Sequence, residues 1–461
     1  MFSFYRYGVW PYGVFRKLGI PGPMPLPFIG TTFWLHYGRT NFDIACFKKY
    51  GKIWGIYDGR QPILAITDPE LIKIILVKES YSTFLNRGLN TSIVTAEDEQ
   101  WKRIRTVLSP TFTSGKLKEV RSKWGKHSIM AVILGAYSMD VITSTSFGIN
   151  TDSINNPKDP FVQQVKKLMT SSLLSPLFIL SYVAPWLKPL LEKMNLSIFS
   201  NESMEFFARS ITKLKEKRAQ GAEKGRVDFL QLMMDSQNSL TSHEMNGVNH
   251  TYKGLTDSEI LSQAIIFIFA GYETVSSALS YLMYELAIQP DIQQKLQEEI
   301  EEVLPNKAPI TYEALMQIEY LDMVLSETLR MHPGISRLQR VCKNTIELNG
   351  ITIPKGMAIV IPPVILHFNP EYWPEPERFR PERFSKEVKE QINPYTYLPF
   401  GAGPRNCIGM RFAFLTMKAA VVSLMQHFTF QPCKETQEMS LQSIRIGTAN
   451  KGENVCSSGL K

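Results

Sequence analysis

The sequence is poor in cysteine and histidine, with five and seven among 461 residues. The cysteines (Cys46, Cys342, Cys407, Cys433, Cys456) are odd in number, widely spaced and without a CxxC pair. That excludes a disulfide framework and reads as a reduced, cytosol-facing chain. No histidine forms an HxxxH pair with a nearby cysteine, so no zinc ligand set assembles. Charge of one sign is not concentrated either. Lys and Arg total 51 against 43 acidic residues, a net +8 spread along the chain. With no zinc-finger, homeodomain or RNA-recognition signature, a nucleic-acid partner is not expected. Repeats and low-complexity tracts are missing, which points to one compact unit.

What is there is apolar: 44% hydrophobic and 11% aromatic residues, enough for a large core. The first residues, Met1 to Phe15, are rich in aromatics but too short to span a bilayer. They fit either a membrane-interface segment, with Arg16 and Lys17 alongside, or a tail folded onto the core. Pro21 to Pro27 form a stiff connector. Asp58-Gly59 and Asn349-Gly350 mark two hairpins, so small sheets are expected near both ends. Helical periodicity runs through 160–175, 203–218, 257–288, 291–304 and 312–330, with a surface loop over 236–254. The expected fold is mainly α with small β-sheets. Ser262 to Leu286 is long enough to cross a membrane, but Glu273 and Glu285 make a buried core helix the better reading. Leu173 to Leu191 is broken by Pro176, Pro185 and Pro189, and reads as surface helices dipping into a membrane or as a core helix pair.

The sharpest signal is Phe400-Gly401-Ala402-Gly403-Pro404-Arg405-Asn406-Cys407-Ile408-Gly409, followed by an apolar helix from Met410 to Met425. The glycines let backbone approach a flat ligand closely. At a helix start, orphan N–H groups stabilise a thiolate, and such a thiolate is a good axial iron ligand. A lone cysteine in a glycine-rich loop is more often structural; ten ordered positions are far more specific. Elsewhere, Glu327 and Arg330 stand i, i+3 on one helix face. Trp101 and Arg105 stand i, i+4 on another, with Lys102 and Arg103 pointing elsewhere, where an acidic partner is expected. In Ala270-Gly271-Tyr272-Glu273-Thr274 a small residue and a glycine precede a hydroxyl. That loosens a helix and leaves room beside it. The bland alternative for Thr274 is a back-bond to a carbonyl.

FGAGPRNCIG resembles the haem-binding loop of the cytochromes P-450, and most of the chain is similar to family three, subfamily A. The likeness is carried by residues 135–148, 227–239, 265–274 and 319–434. The resemblance implies haem b between the long central helix and the loop, with Cys407 on the iron. It also implies haem contacts from Trp101, Arg105, Arg340, Arg405 and Phe400. Thr274, Glu273 and Ala270 would form the oxygen-activating stretch. Ile266, Phe269, Ala270, Ile335 and Ser336 would line the substrate cavity. Glu327, Arg330 and Arg383 would form the family's Glu-Arg-Arg cluster, Arg383 being preferred to the earlier PERF copy at 376–379. The implied activity is monooxygenation of lipophilic compounds (steroids, fatty acids, xenobiotics) at the cytosolic face of the endoplasmic reticulum membrane. Electrons would come from NADPH through NADPH-cytochrome P-450 reductase, with cytochrome b5 as a further partner. The implied organisation is a membrane-associating tail 1–20, a catalytic domain 21–434 and a divergent polar tail 435–461.

Four features depart from the family pattern. The resemblance does not reach the family's amino-terminal membrane anchor, which leaves membrane attachment to the aromatic tail and 173–191. The chain is shorter between Asn86 and Trp101, and it is altered over 119–134. Residues 437–461 are expected not to complete the small terminal sheet. A non-catalytic haem-binding variant is therefore a second reading. A reductase-independent haem-thiolate isomerase or peroxide-dependent enzyme is a third, against which Thr274 argues.

Overall fold

A computed structural model describes residues 7–32, 38–80, 83–85, 92–94, 96–112, 130–156, 158–169, 201–220, 228–243, 254–433, 436 and 455–459. The apolar stretch 173–191, the shortened segment 86–91 and most of 119–134 lie outside the described residues.

Ile53–Asp58 (β1) and Gln61–Ile66 (β2) pair antiparallel, with Asp58 opposite Gln61. Gly59 turns the chain at φ +59°, as a two-residue hairpin requires. The further strands are Phe84–Leu85 (β3), Leu338–Cys342 (β4), Ile346–Leu348 (β5), Ile351–Ile353 (β6) and Ala358–Ile361 (β7). β5 and β6 form the second hairpin, whose Asn349 and Gly350 both have positive φ (+49° and +76°). The first hairpin is not a separate small sheet. It joins a five-stranded one in the order β1-β2-β7-β4-β3, with β2 parallel to β7. The apolar run of β7 is buried at every position, as a strand covered on both faces should be. The connector runs along this sheet: the N–H of Gly55 donates to Pro21 O at 2.8 Å. In the tail, Phe15 is buried against Tyr57 whereas Trp10 is 75% exposed. One end of the tail is thus core and the other surface.

Much of the rest is helical, including Arg39–Tyr50 (α1), Asp98–Leu108 (α2), Met130–Phe147 (α3), Asn201–Ala219 (α4), Phe229–His243 (α5), Asp257–Ile288 (α6), Glu319–Met331 (α7) and Met410–Met425 (α8). α6 starts where a capping box predicts. The N–H of Glu259 donates to Thr256 Oγ1 at 3.2 Å, and the N–H of Thr256 donates to Glu259 Oε2 at 2.9 Å. By length and composition α6 could cross a membrane. In the fold it packs against α3, α7 and α8, and its Glu285 is buried on His332 at 2.7 Å. Phenylalanines bind the helices together. Phe112 lies 4.7 Å from Phe229 on α5 and 5.6 Å from Phe267 on α6, while Phe229 lies 5.8 Å from Phe412 on α8. Each buried ring contributes about 1.5–3 kcal/mol.

Three expectations are corrected. The loop read over 236–254 is helical to His243, because α5 continues past its last apolar residues. The helix read over 312–330 breaks at Ile318 (φ −79°, ψ 87°), leaving Tyr312–Gln317 and α7. The polar tail does supply a strand: Val455–Gly459 (β9) pairs antiparallel with Phe428–Pro432 (β8). Backbone groups carry that pairing, so polar side chains do not prevent it.

Candidate active site

Two glycines shape the loop before α8. Gly401 and Gly403 have φ of +70° and +74°, and a Cβ on Gly403 would lie 2.0 Å from Leu76 O. Only glycine fits there. The N–H of Cys407 donates to Phe400 O at 2.9 Å, and that of Asn406 to Gly403 O at 3.1 Å. The Phe400 ring packs 5.7 Å from Phe414 of α8. The loop thus holds its shape through backbone bonds and leaves the Cys407 side chain exposed. Desolvation by the surrounding loop pushes the thiol above its ordinary value, while the Gly409 N–H and the Arg105 charge pull it down. The expected stabilisation by N–H groups at the helix start is therefore present but outweighed in the free thiol.

Beneath the loop lies a buried ion cluster. Arg330 donates to Glu327 from Nε at 2.7 Å and from Nη2 at 2.9 Å, and its remaining donors reach His367 O and Pro376 O. Arg383 adds a third contact, Nε to Glu327 Oε1 at 3.3 Å. The earlier copy's Arg378 has a side chain 70% exposed and, among the described residues, pairs with Glu375. His367 joins this cluster to the loop. Its Nδ1–H donates to Arg330 O at 2.9 Å and its Nε2 accepts the N–H of Leu398 at 2.9 Å. Burial first, then the Arg330 charge, lower its pKa to about 3 against the helping Arg330 carbonyl, so the ring is neutral. Lys418 of α8 donates to Ile318 O and to Asp322 of α7.

On α6 the expected oxygen-activating residues share one face. Ala270 and Thr274 are exposed; Ile266, Phe269 and Glu273 are half-buried, amid buried Phe267, Ile268 and Val275. Burial raises the Glu273 carboxyl above its ordinary value. Thr274 Oγ1 donates to Ala270 O at 2.5 Å, which is the back-bond weighed above as the bland alternative. Ile335 and Ser336 are half-buried in the turn after α7. The next residue, Arg337, pins that turn to α1 through a bidentate pair with Asp43 (2.7 and 2.6 Å).

Of the residues expected at the haem edge, three gather. Arg405 stacks over the Trp101 ring, its Cζ 4.4 Å from the centroid. Arg340 is 6% exposed, and burial followed by the Arg405 charge lowers its pKa to about 10. Its Nε has no hydrogen-bond partner, and Arg340 makes no ion pair among the described residues. A buried guanidinium facing a second one is costly unless an anion completes the site. A dicarboxylate such as the two haem propionates meets that need, and an exposed cysteine in a glycine loop suits the iron. The residues present fit the group. Arg105, by contrast, turns to the loop itself, donating to Asn406 O at 2.8 Å and Asn406 Oδ1 at 2.9 Å. Arg103 is engaged within the chain. Its guanidinium bonds Glu259 and Gly254 O, and with Gln100 and the Thr256 N–H it overcomes burial to hold Glu259 down at about 2. Lys102, whose side chain is 61% exposed, is the cation left facing outward on that turn.

Sequence reasoning missed His367 and two hydroxyl residues of α3, Tyr137 and Ser138. A hydroxyl within a strongly apolar helix was the available signal.

The cytochrome P-450 family model matches residues 20–456. Cytochrome P-450 3A9 of Rattus norvegicus is 56% identical over 457 residues, covering 94% of this chain and 90% of that protein. Cytochrome P-450 3A29 of Sus scrofa and 3A7 of Homo sapiens are 54% and 53% identical at the same coverage. With a glycine-rich cysteine loop, a buried acid–arginine cluster and this likeness along nearly the whole chain, the protein belongs to the cytochrome P-450 family, within family three, subfamily A, and is a haem monooxygenase.

Proposed function

We propose that the chain oxidises large lipophilic compounds, steroids and xenobiotics among them, using NADPH-derived electrons from a flavoprotein reductase. The observation that carries this is an exposed Cys407 together with a buried Arg340 that has no acidic partner among the described residues. The haem, when bound, supplies dioxygen activation; the chain's residues hold it, admit substrate and move protons. In this reading Cys407 is the iron ligand, and Arg340, Arg405 and Trp101 hold the propionate edge. Arg105 fixes the loop from behind. Ile266, Phe269, Ala270, Ile335 and Ser336 bind substrate by burial rather than by directed hydrogen bonds. Glu273, whose raised pKa suits a proton donor, passes a proton to Thr274.

Cytochrome b5 is a second proposed electron partner. Lys102, exposed on α2, is a proposed contact for such a donor. Attachment to the cytosolic face of the endoplasmic reticulum is proposed through the aromatic tail, where Trp10, Met24 and Ile29 are exposed near Arg16 and Lys17.

The test is carbon-monoxide difference spectroscopy, followed by product formation from a steroid with reductase and NADPH. A thiolate-type Soret band with NADPH-dependent product is expected. A band typical of nitrogen ligation would reject the reading. For Thr274→Ala, product formed per NADPH consumed should fall about tenfold with the spectrum intact. Unchanged coupling would remove Thr274 from the relay.

A further inference from the structure

Two neighbouring side chains on α3 touch both walls of the site. Ser138, 2% exposed, donates from Oγ to Gly271 O at 2.7 Å and Tyr272 O at 2.9 Å, both on α6. Tyr137 donates its phenol to Thr416 O at 3.0 Å, on the helix that follows Cys407. The approach is close because Gly271 has no side chain. A Cβ there would meet Ile142, one turn along α3 from Ser138, at 2.6 Å.

In a regular helix the carbonyls of Gly271 and Tyr272 belong to the N–H groups of Val275 and Ser276. Here a hydroxyl from another helix shares them. Their neighbours are loaded too: Ala270 O accepts from Thr274 Oγ1, and Glu273 O accepts from Ser276 Oγ at 3.1 Å. Three hydroxyls thus load four successive carbonyls, 270 to 273, the single Ser138 proton being shared between two of them. Such competition lengthens the backbone N–H···O=C hydrogen bonds of a helix and favours bending. The loaded turn is the one carrying the proposed proton relay.

We propose that Tyr137 and Ser138 act as a positioning clamp. Ser138 keeps α6 loosened at 270–273, and Tyr137 fixes α8, so that Thr274 is held at a set distance from the Cys407 loop. This rests on the role proposed for Thr274.

Amide hydrogen exchange and coupling of the haem-loaded protein test it together. In Ser138→Ala, the N–H groups of Val275 and Ser276 regain undivided acceptors and should exchange about fivefold more slowly. Product per NADPH should fall about fivefold, a hydrogen bond's worth, with KM unchanged. Tyr137→Phe should lower coupling while leaving those two amides as they were. A hydroxyl that only glues helices together would instead speed exchange along α6 and leave coupling intact, which would overturn the clamp. Unchanged coupling in Ser138→Ala, with Thr274→Ala uncoupled, would overturn the clamp alone. If Thr274→Ala also stays coupled, the relay reading fails, and the two amides then decide whether Ser138 loosens the helix.

Discussion

Cys407→Ala is expected to abolish the thiolate-type carbon-monoxide spectrum and at least about a hundredfold of turnover, while leaving the polypeptide folded. The reason is where the bonds lie. The loop is shaped by the N–H groups of Gly401, Asn406 and Cys407, all of which alanine at 407 preserves. The lost side chain is exposed, so little packing goes with it. Two of the other described cysteines, Cys46 and Cys342, are poorly placed to substitute. Cys46 is buried with its thiol pushed up to about 12, and burial also raises Cys342. Thiolates do not form readily in such places. Circular dichroism of the variant should match the parent, with haem content and the Soret band lost. A variant with the parent's thiolate spectrum would show that another residue holds the iron.

Glu327→Ala should destabilise the protein by about 3–5 kcal/mol, because it strands two buried guanidinium groups at once. Arg330 is fully buried and Arg383 is 7% exposed, and both depend on this carboxylate. The N–H of Arg380 also donates to it at 2.9 Å, so a backbone donor is orphaned as well. Against a typical folding stability of about 5–15 kcal/mol, that loss is a large share. Denaturant midpoints report it directly. Glu327→Gln, which keeps an acceptor but not the charge, should fall between the parent and alanine. A midpoint shift in alanine worth less than about 1 kcal/mol, the value of a surface pair, would mean the cluster is not structural.

Much of this was legible in the sequence because it is local. Asn349-Gly350 demands positive φ at both positions and so names its hairpin. Thr256 and Glu259 announce the start of α6 three residues apart. The loop at 400–409 carries its glycines where the backbone turns. What could not be read depends on residues far apart. The first hairpin joins β7 across nearly three hundred residues, and no periodicity encodes that pairing. Arg103 meets Glu259 across a gap of 156 residues, which local spacing on α2 does not reveal. The strand at 455–459 is paired by backbone groups that composition cannot reveal. The site divides in the same way. Cys407, Glu327 and Arg330 follow from short motifs, whereas His367 and Ser138 act through carbonyls of distant helices.

The neutral ring of His367 gives the molecule a built-in intolerance of acid. Both its nitrogens are committed, one giving and one receiving a proton, so a second proton has nowhere to sit unless the Leu398 amide lets go. An unfolded chain accepts that proton near pH 6.5, the native one only near 3. Stability from this group is whole above pH 6.5 and drains away as the medium sours toward 3, by about 1.4 kcal/mol for each unit. The strap between the cysteine loop and the end of α7 is therefore a place where acidification begins to undo the fold.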